Sequence, residues 1–499
     1  MVHHQQGGSR PSSRIDGVGP FQLGERTSLA TGVITHPQTI DRGTPKLKTH
    51  LLFSWLLLGL LAELFAAENY PQFRGANSDA VSASPLPLSW SDVDGNRTNI
   101  RWKISVPGEG WSQPIVWGER LYITAAVPAA AGDRDSTRPE SNQGGYGRDR
   151  DDLVNVVYQY QVICIDAASG REIWRRRVKE GKPPLPRHST NTYATETPVT
   201  DGERVYAYFG MNGVHCLDMD GKLLWQKDLG SYEMRAGWGT ASSPTLLDDR
   251  LFVQVDNEEQ SFLVALATES GEEIWRADRN ERSQYSSPFV WRNSRRNELI
   301  AGGMIYRSYD PATGQLLWQL DMNKGRSSAT PVAIGDRLYV GNEFRNRGGA
   351  DDGGGRLYAI KPGGSGDITP PDDGKRGEFV EWRMDNSGIQ MASPTHCGGN
   401  LYFFERRRGI VRCVDADTGR LEYESRVRGA SAFWASPWTD GRHLYAMDAR
   451  GNTHVIEAGD DLRVVTVNRL DQQAWGTPAI ADGRIYLRTV DHLYCIAAE

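Results

Sequence analysis

The sequence is poor in cysteine, and this shortage limits what the chain can be. Its 499 residues include five Cys, an odd number that is too sparse for the disulfide framework of small secreted domains. No two are adjacent and no C-x-x-C-H haem motif occurs. Four of them occupy one position of a repeat described below, within alternating β-type runs, which is typical of a small buried side chain. These four are Cys164, Cys216, Cys413 and Cys495.

Long hydrophobic runs are also missing. The longest apolar run, residues 51–62 (LLFSWLLLGLLA), has 12 residues, whereas a membrane-spanning helix needs about 20. Lys46 and Lys48 precede it and Ala66-Ala67 follows, a pattern typical of a secretory signal peptide. We predict that residues 1–67 are an N-terminal extension with a signal peptide, cleaved near Ala66 or Ala67. The mature chain would be periplasmic or secreted, without an integral membrane span; an uncleaved signal anchor is the alternative.

Basic charge is not concentrated anywhere. The chain has 57 Lys and Arg against 63 Asp and Glu, a net charge of −6. Removal of residues 1–67 leaves 51 basic and 59 acidic residues, a net charge of −8. Because nucleic-acid binding needs a basic patch or stripe, we expect no nucleic-acid partner.

The common catalytic signatures are absent as well. The sequence contains no G-x-S-x-G elbow, no H-E-x-x-H metal helix and no kinase-type glycine or H-R-D loop. We therefore predict no catalytic residue and no metal ligand.

Glycine and aromatic residues, by contrast, are plentiful, with 54 Gly, 15 Trp and 19 Tyr, which favours strands and turns over helices. One segment recurs: a proline, a short strand, a turn, a strand of the R-L-Y type, a loop, a third strand, a D-x-x-T/S-G turn and a strand that carries Trp. Eight prolines anchor the units, namely Pro114, Pro198, Pro244, Pro288, Pro331, Pro394, Pro437 and Pro478. Four short antiparallel strands in each unit predict the blades of a propeller.

The fourth strands carry the large aromatic side chains. A buried indole suits the contact between one sheet and the next, so we predict that these residues join neighbouring blades. They are Trp102, Trp174, Trp225, Trp275, Trp318 and Trp382. The eighth unit stops after its third strand, and residues 99–106, which include Trp102, read as an unpaired fourth strand.

Together these patterns predict an all-β fold, an eight-bladed β-propeller over residues 99–499, whose last blade is completed by the N-terminal strand. Closure of this kind leaves no exposed sheet edge. Residues 68–98 form a pre-propeller segment.

The A-x-D-x-x-T-G-x-x-x-W style of the repeat resembles the pyrroloquinoline-quinone (PQQ)-like repeat family. That family includes eight-bladed quinoprotein dehydrogenases and the outer-membrane assembly lipoprotein BamB. The stretch YPQFRGANSDAVS (70–82) is also similar to the start of secreted planctomycete propellers. For a dehydrogenase the resemblance implies PQQ, a Ca²⁺ site of Glu, Asn and Asp, a catalytic Asp, an indole under the quinone and often a vicinal disulfide. The repeat itself carries none of these.

Loop length differs between the two faces of the predicted disc. The long stretches 127–157, 180–195 and 343–355 fall on the face where the first strands begin, and one long insertion, 361–378, falls on the other. Long loops on a rigid scaffold often carry function.

Aromatic residues stand three positions before several of the anchoring prolines, around the predicted channel mouth. We predict a collar that binds a ligand or partner, formed by Trp111, Tyr285, Met391, Trp434 and Trp475. The collar could stack a planar ligand, a sugar face or a peptide side chain. The alternative is that these residues only wedge between inner strands and stiffen the ring.

The sequence thus predicts an exported, non-catalytic propeller that binds a protein or a glycan through its loop-rich face and needs no cofactor. The alternative is a PQQ-dependent or degenerate quinoprotein oxidoreductase, with PQQ and Ca²⁺ in the central funnel.

Overall fold

The computed structural model describes residues 68–130, 132, 137–140, 151–323, 325–343, 354–371, 374–406, 409–470 and 472–498. The predicted extension and signal peptide, residues 1–67, lie outside this part of the chain. Within it, no helix is long and apolar enough to cross a membrane.

The fold is the predicted eight-bladed β-propeller, and each blade is an antiparallel sheet whose strands follow chain order from the axis outwards. Blade 1 consists of Ile115–Trp117, Arg120–Pro128, Tyr158–Asp166 and Glu172–Gly181; blade 2 of Val199–Thr200, Arg204–Tyr208, Val214–Asp218 and Leu223–Lys227; blade 3 of Thr245–Leu247, Arg250–Val255, Ser261–Ala267 and Glu273–Arg279; and blade 4 of Phe289–Arg292, Asn297–Ala301, Ile305–Tyr309 and Leu316–Asp321.

The second half of the ring repeats this arrangement. Blade 5 consists of Val332–Ile334, Arg337–Gly341, Arg356–Ile360 and Val380–Asp385; blade 6 of Thr395–Cys397, Asn400–Phe404, Ile410–Asp415 and Leu421–Arg426; blade 7 of Trp438–Thr439, His443–Met447, Asn452–Glu457 and Arg463–Leu470; and blade 8 of Ala479–Ala481, Arg484–Arg488 and His492–Ile496 with Ile100–Ser105. Short 3₁₀ helices lie at Asp151–Asn155, Gly210–Asn212 and Arg235–Gly237.

The strand Ile100–Ser105 comes from the start of the propeller and pairs antiparallel with His492–Ile496 near the C-terminus. Trp102 stands opposite Cys495 in this pairing. The chain therefore closes the ring with its own N-terminal strand. All five cysteines are buried and free, as the repeat position of four of them predicted.

Two outer edges carry strands that the repeat pattern did not predict. The hairpin Ser91–Val93 and Asn96–Thr98 lies along the fourth strand of blade 7, and Gly366–Asp367 lies along that of blade 4. The second of these comes from the long insertion at 361–378. Both additions cover backbone groups that an outer strand would otherwise leave unpaired.

Neighbouring blades are joined by the indoles of the fourth strands. In five of the six predicted positions the Nε1–H group donates to a backbone oxygen in the D-x-x-T/S-G turn, or its variant, of the next blade. The pairs are Trp102 with Ala167 O, Trp174 with Met219 O, Trp225 with Thr268 O, Trp275 with Pro311 O and Trp382 with Ala416 O, over 2.9–3.2 Å. Trp318 instead donates to Oε2 of the buried Glu298, over 2.6 Å.

The glycine that ends each of these turns has two reasons to lack a side chain. Gly271 has a φ of +72°, and a Cβ built on it would stand 2.5 Å from the ring of Trp225. Backbone in the left-handed region costs an L-residue about 1–2 kcal/mol, and the indole leaves no room for a methyl group. The Trp and the glycine turn are therefore two halves of one contact between blades.

We expect Gly271→Ala to lower the free energy of unfolding by more than backbone strain alone explains, because overpacking adds about 1–3 kcal/mol. The matched control is Gly441→Ala, since Gly441 has a φ of +83° but nothing within 4 Å of a built Cβ. Equilibrium urea unfolding of both variants measures the difference. Equal losses would contradict the claim that the indole contact matters.

Candidate ligand-binding site in the central channel

A ring of hydroxyl groups surrounds the central channel. The residue before the anchoring proline is Ser or Thr in seven blades: Thr197, Ser243, Ser287, Thr330, Ser393, Ser436 and Thr477. The hydroxyl oxygen of each accepts a hydrogen bond from the backbone N–H of the corresponding residue one blade earlier, over 3.0–3.2 Å. These bonds hold the first strands of neighbouring blades at a constant spacing around the axis.

The ring of hydroxyls is interrupted at blade 1, where the corresponding residue is Gln113. Its amide turns to the pre-propeller segment: Nε2 donates to Gln72 O over 3.0 Å, and Oε1 accepts from the N–H of Arg74 over 3.1 Å. The same segment reaches across the channel. Oγ1 of Thr245 in blade 3 donates to the side chain of Gln72 over 2.9 Å, and the guanidinium of Arg74 donates to Thr395 in blade 6 over 3.1 Å.

This segment closes the channel from below. Thr245 and Thr395 each lie two residues past a hydroxyl of the ring, so the contacts of Gln72 and Arg74 lie deeper along the first strands. Arg74 is fully buried, and this burial lowers the pKa of its guanidinium to about 10. Phe73 stands between these two residues and lines the cavity above them. The channel is therefore a blind funnel rather than a pore.

The funnel encloses a cavity of about 290 Å³ that all five predicted collar residues line: Trp111, Tyr285, Met391, Trp434 and Trp475. Its other walls are the hydroxyl ring with Gln113, and loop residues that include His188, Asn191, Trp238, Ser328 and Arg406. The structure thus brings the collar to one site. Whether the collar binds a ligand stays a prediction.

Three of the collar residues form a continuous stack. The ring centroids of Trp434 and Trp475 are 4.6 Å apart and nearly parallel, and those of Trp475 and Trp111 are 5.6 Å apart. Trp111 and Trp475 are only 7% and 8% exposed. Both faces of Trp475 are therefore covered by indoles, and the stack contributes to the wall of the funnel while it ties blades 7, 8 and 1 together. A planar ligand has no free face of Trp475 on which to stack.

A second aromatic group stands at blades 2 to 4. The ring of Tyr285 lies 6.3 Å from that of Trp238, and His188 meets Trp238 edge-on. The guanidinium of Arg326 lies 4.7 Å from the Trp238 ring centroid. Burial raises the pKa of Tyr285 above its ordinary value, so its hydroxyl remains protonated at neutral pH.

Some of the cavity residues that the sequence analysis did not identify follow a pattern that is visible in the sequence. The hydroxyl ring follows from inspection of the position before each proline, which is as regular as the aromatic position three residues before it. Trp238, His188 and Arg406 come from loops outside the repeat, and Phe73 comes from the pre-propeller segment. Their place at the cavity depends on loop paths that no periodic pattern specifies.

The charge of the funnel differs from that of the whole chain, which has a net charge of −6. None of the described residues that line the cavity is Asp or Glu, and Arg406 is the one Lys or Arg among them. Across the described part of the chain, no group of three or more His, Cys, Asp or Glu is placed to hold a metal ion. The funnel offers hydrogen-bond donors and a positive charge, and no carboxylate.

Comparisons with known proteins agree with the fold. Residues 159–306 match the family model described as outer membrane protein assembly factor BamB. BamB from Moraxella catarrhalis superimposes with a TM-score of 0.52 and 14% identity, covering 80% of this chain and 97% of its own. The quinohemoprotein alcohol dehydrogenase of Comamonas testosteroni gives a TM-score of 0.54 with 11% identity, covering 87% of this chain and 81% of its own. A search of curated protein sequences finds no significant match.

We expect Ser393→Ala to destabilise the propeller by about 1–3 kcal/mol, because it leaves the buried N–H of Thr330 without its acceptor. Ser393→Thr is the matched control, since it keeps the hydroxyl. Thermal and urea unfolding measure both. Equal stability of the Ala and Thr variants would show that the hydroxyl ring does not hold the first strands together.

Proposed function

We propose that the protein is an exported, non-catalytic binding module that holds a protein partner on its loop-bearing face. The observation that carries this proposal is the blind funnel. It opens on the face where the first strands begin, is lined by aromatic and hydroxyl side chains, and is closed beneath by Phe73. A concave, mostly preformed pocket with a few convergent polar groups is the usual form of a binding site. Because the floor is closed, the funnel admits an end or a side chain of a partner and not a continuous strand.

Two observations favour a polypeptide partner over a glycan. The family model that matches residues 159–306 is described as an assembly factor for outer membrane proteins, so a chain that binds proteins is among those that it resembles. A sugar ring also packs best on an open aromatic face, whereas both faces of Trp475 are covered by Trp434 and Trp111. The funnel is instead suited to a side chain of a polypeptide that enters it end-on.

The quinoprotein alternative fits the fold but not the residues of the funnel. Calcium needs several converging oxygen ligands, with carboxylates prominent among them, and none of the described lining residues is Asp or Glu. A carboxylate that acts as a general base would also have to stand at the cavity. No vicinal disulfide can form, because no two cysteines are adjacent. The described residues therefore do not fit PQQ bound through Ca²⁺, and we propose that the protein does not use this cofactor.

Export remains part of the proposal. It is supported by the signal-peptide pattern of residues 46–67. The absence of disulfides does not oppose export, since the five cysteines are small buried side chains of the sheets.

We expect Ser328→Trp to abolish partner binding, because Ser328 lines the funnel and an indole there would fill its mouth. The control is Glu269→Trp, which adds an indole to an exposed turn on the opposite face. Affinity capture from an envelope fraction of the native cells, quantified by mass spectrometry, compares both variants with the wild type. Proteins retained by wild type and Glu269→Trp but lost from Ser328→Trp are the expected result. Equal retention by all three would refute the funnel as the binding site.

We also expect PQQ to show no calcium-dependent binding. Isothermal titration with PQQ, in calcium chloride and again in EDTA, measures this directly. Micromolar affinity in calcium that disappears in EDTA would restore the quinoprotein alternative.

A further inference from the structure

Arg406 is a buried charge that faces the funnel. It follows the second strand of blade 6, and its backbone N–H donates to Oε1 of Gln390 over 3.2 Å. The residue is only 7% exposed, and it lines the cavity. Its guanidinium lies 5.3 Å from the ring centroid of Trp434, at the end of the indole stack.

No carboxylate of the described chain lies within ion-pair distance of Arg406, and its Nε is buried without a hydrogen-bond partner. Other fully buried arginines of the described chain are compensated by an ion pair or by a hydrogen bond to a backbone oxygen. Arg187 is fully buried and pairs with Glu109 over 2.6 Å, and Arg279 pairs with Asp256 over 2.8 Å. Within the described chain, Arg74 and Arg488 have no carboxylate partner, but they donate to the backbone oxygens of Pro394 and Thr124, each over 2.6 Å. Among the described residues, neither an ion pair nor a side-chain hydrogen bond compensates Arg406, which lines the cavity.

Such a charge is costly unless something compensates it. Removal of an ion from water is repaid only by a counterion and well-placed hydrogen bonds, and a contact with an aromatic face is worth far less than the desolvation of a charge. A buried charge without a counterion at the wall of a cavity is typical of a functional site.

The hydroxyl ring also favours a ligand that accepts hydrogen bonds. Each of its seven oxygens accepts a backbone hydrogen bond, which leaves the O–H group itself available to donate. Ser436 and Ser393 of this ring line the same cavity as Arg406. Donors converge on the cavity from the ring and from Arg406, and no acidic side chain among the described lining residues competes for them.

We propose that the funnel recognises a carboxylate of the partner polypeptide, and that Arg406 is the residue that binds it. This inference rests on the proposed function, since it names the group that a protein partner inserts. The shared chemistry is the carboxylate, which is carried either by an Asp or Glu side chain or by a C-terminus. A planar, bidentate guanidinium matches its two oxygens.

Short blocked peptides test this without knowledge of the partner. Acetyl-Gly-Glu-Gly-amide carries a side-chain carboxylate, acetyl-Gly-Gly-Gly carries a free C-terminal carboxylate, and acetyl-Gly-Gln-Gly-amide is the neutral control. D-glucuronate, with glucose as its control, represents an acidic glycan. Each is titrated into the millimolar range while tryptophan emission is recorded, because the contact between Arg406 and Trp434 makes the indole stack a reporter of the site.

We expect one of the two acidic peptides to bind at least about tenfold more tightly than the neutral peptide, which is the worth of one charge-assisted hydrogen bond. Arg406→Gln abolishes this difference. Arg463→Gln retains it, since Arg463 is 74% exposed and pairs with Glu457 far out on blade 7. The acidic peptide that binds identifies the source of the carboxylate.

Equal binding of acidic and neutral peptides, or an acidic preference that survives Arg406→Gln, would overturn the proposal. Binding of glucuronate without binding of either acidic peptide would overturn the polypeptide as occupant. These results are independent of the capture experiment with Ser328→Trp, so a wrong ligand class and a wrong binding face can be told apart.

Stability supplies a second readout. Because no carboxylate of the described residues pairs with Arg406, we expect Arg406→Met to leave the melting temperature unchanged or to raise it. A clear decrease would show that the guanidinium has a structural role, and would contradict its assignment to a ligand.

Discussion

The structure depends on the hydrogen bonds that tie each innermost strand to the next. In seven of the eight blades the hydroxyl before the anchoring proline accepts the backbone N–H of the preceding blade. A ring built in this way has one place where the chain begins and ends, and there Gln113 replaces the hydroxyl. Its amide holds Gln72 and Arg74 in the channel, so the repeat position that spaces the blades elsewhere closes the funnel at blade 1.

The outer part of the ring is held by a different contact. At five of the contacts between blades an indole packs on the glycine turn of the next blade, and its N–H donates to the backbone of that turn. The inner contact is polar and narrow, while the outer one is apolar and wide. Together they fix both the spacing and the radius of the blades, which is what gives the funnel a preformed shape.

Sequence periodicity predicted this scaffold well, because strands, turns and the Trp positions all repeat and each repeat has one physical role. It also placed Trp111, Trp434 and Trp475 side by side, since ring closure makes blades 7, 8 and 1 neighbours. It could not predict that these indoles would cover one another's faces, which depends on side-chain rotation. Nor could it place Phe73 and Arg406, because the paths of the pre-propeller segment and of the loop in blade 6 have no repeat to follow.

One charge links this architecture to the proposed function. A chain that carries more acidic than basic residues keeps the described wall of its funnel free of carboxylates and exposes Arg406 to it. The most direct test is a crystal structure of the protein with acetyl-Gly-Glu-Gly-amide or acetyl-Gly-Gly-Gly. We predict a carboxylate within hydrogen-bond distance of the Arg406 guanidinium, above Phe73 and beside Trp434. A funnel that holds no peptide in crystals grown with millimolar peptide would contradict this prediction. An Arg406 that pairs with a carboxylate of its own chain would contradict it as well.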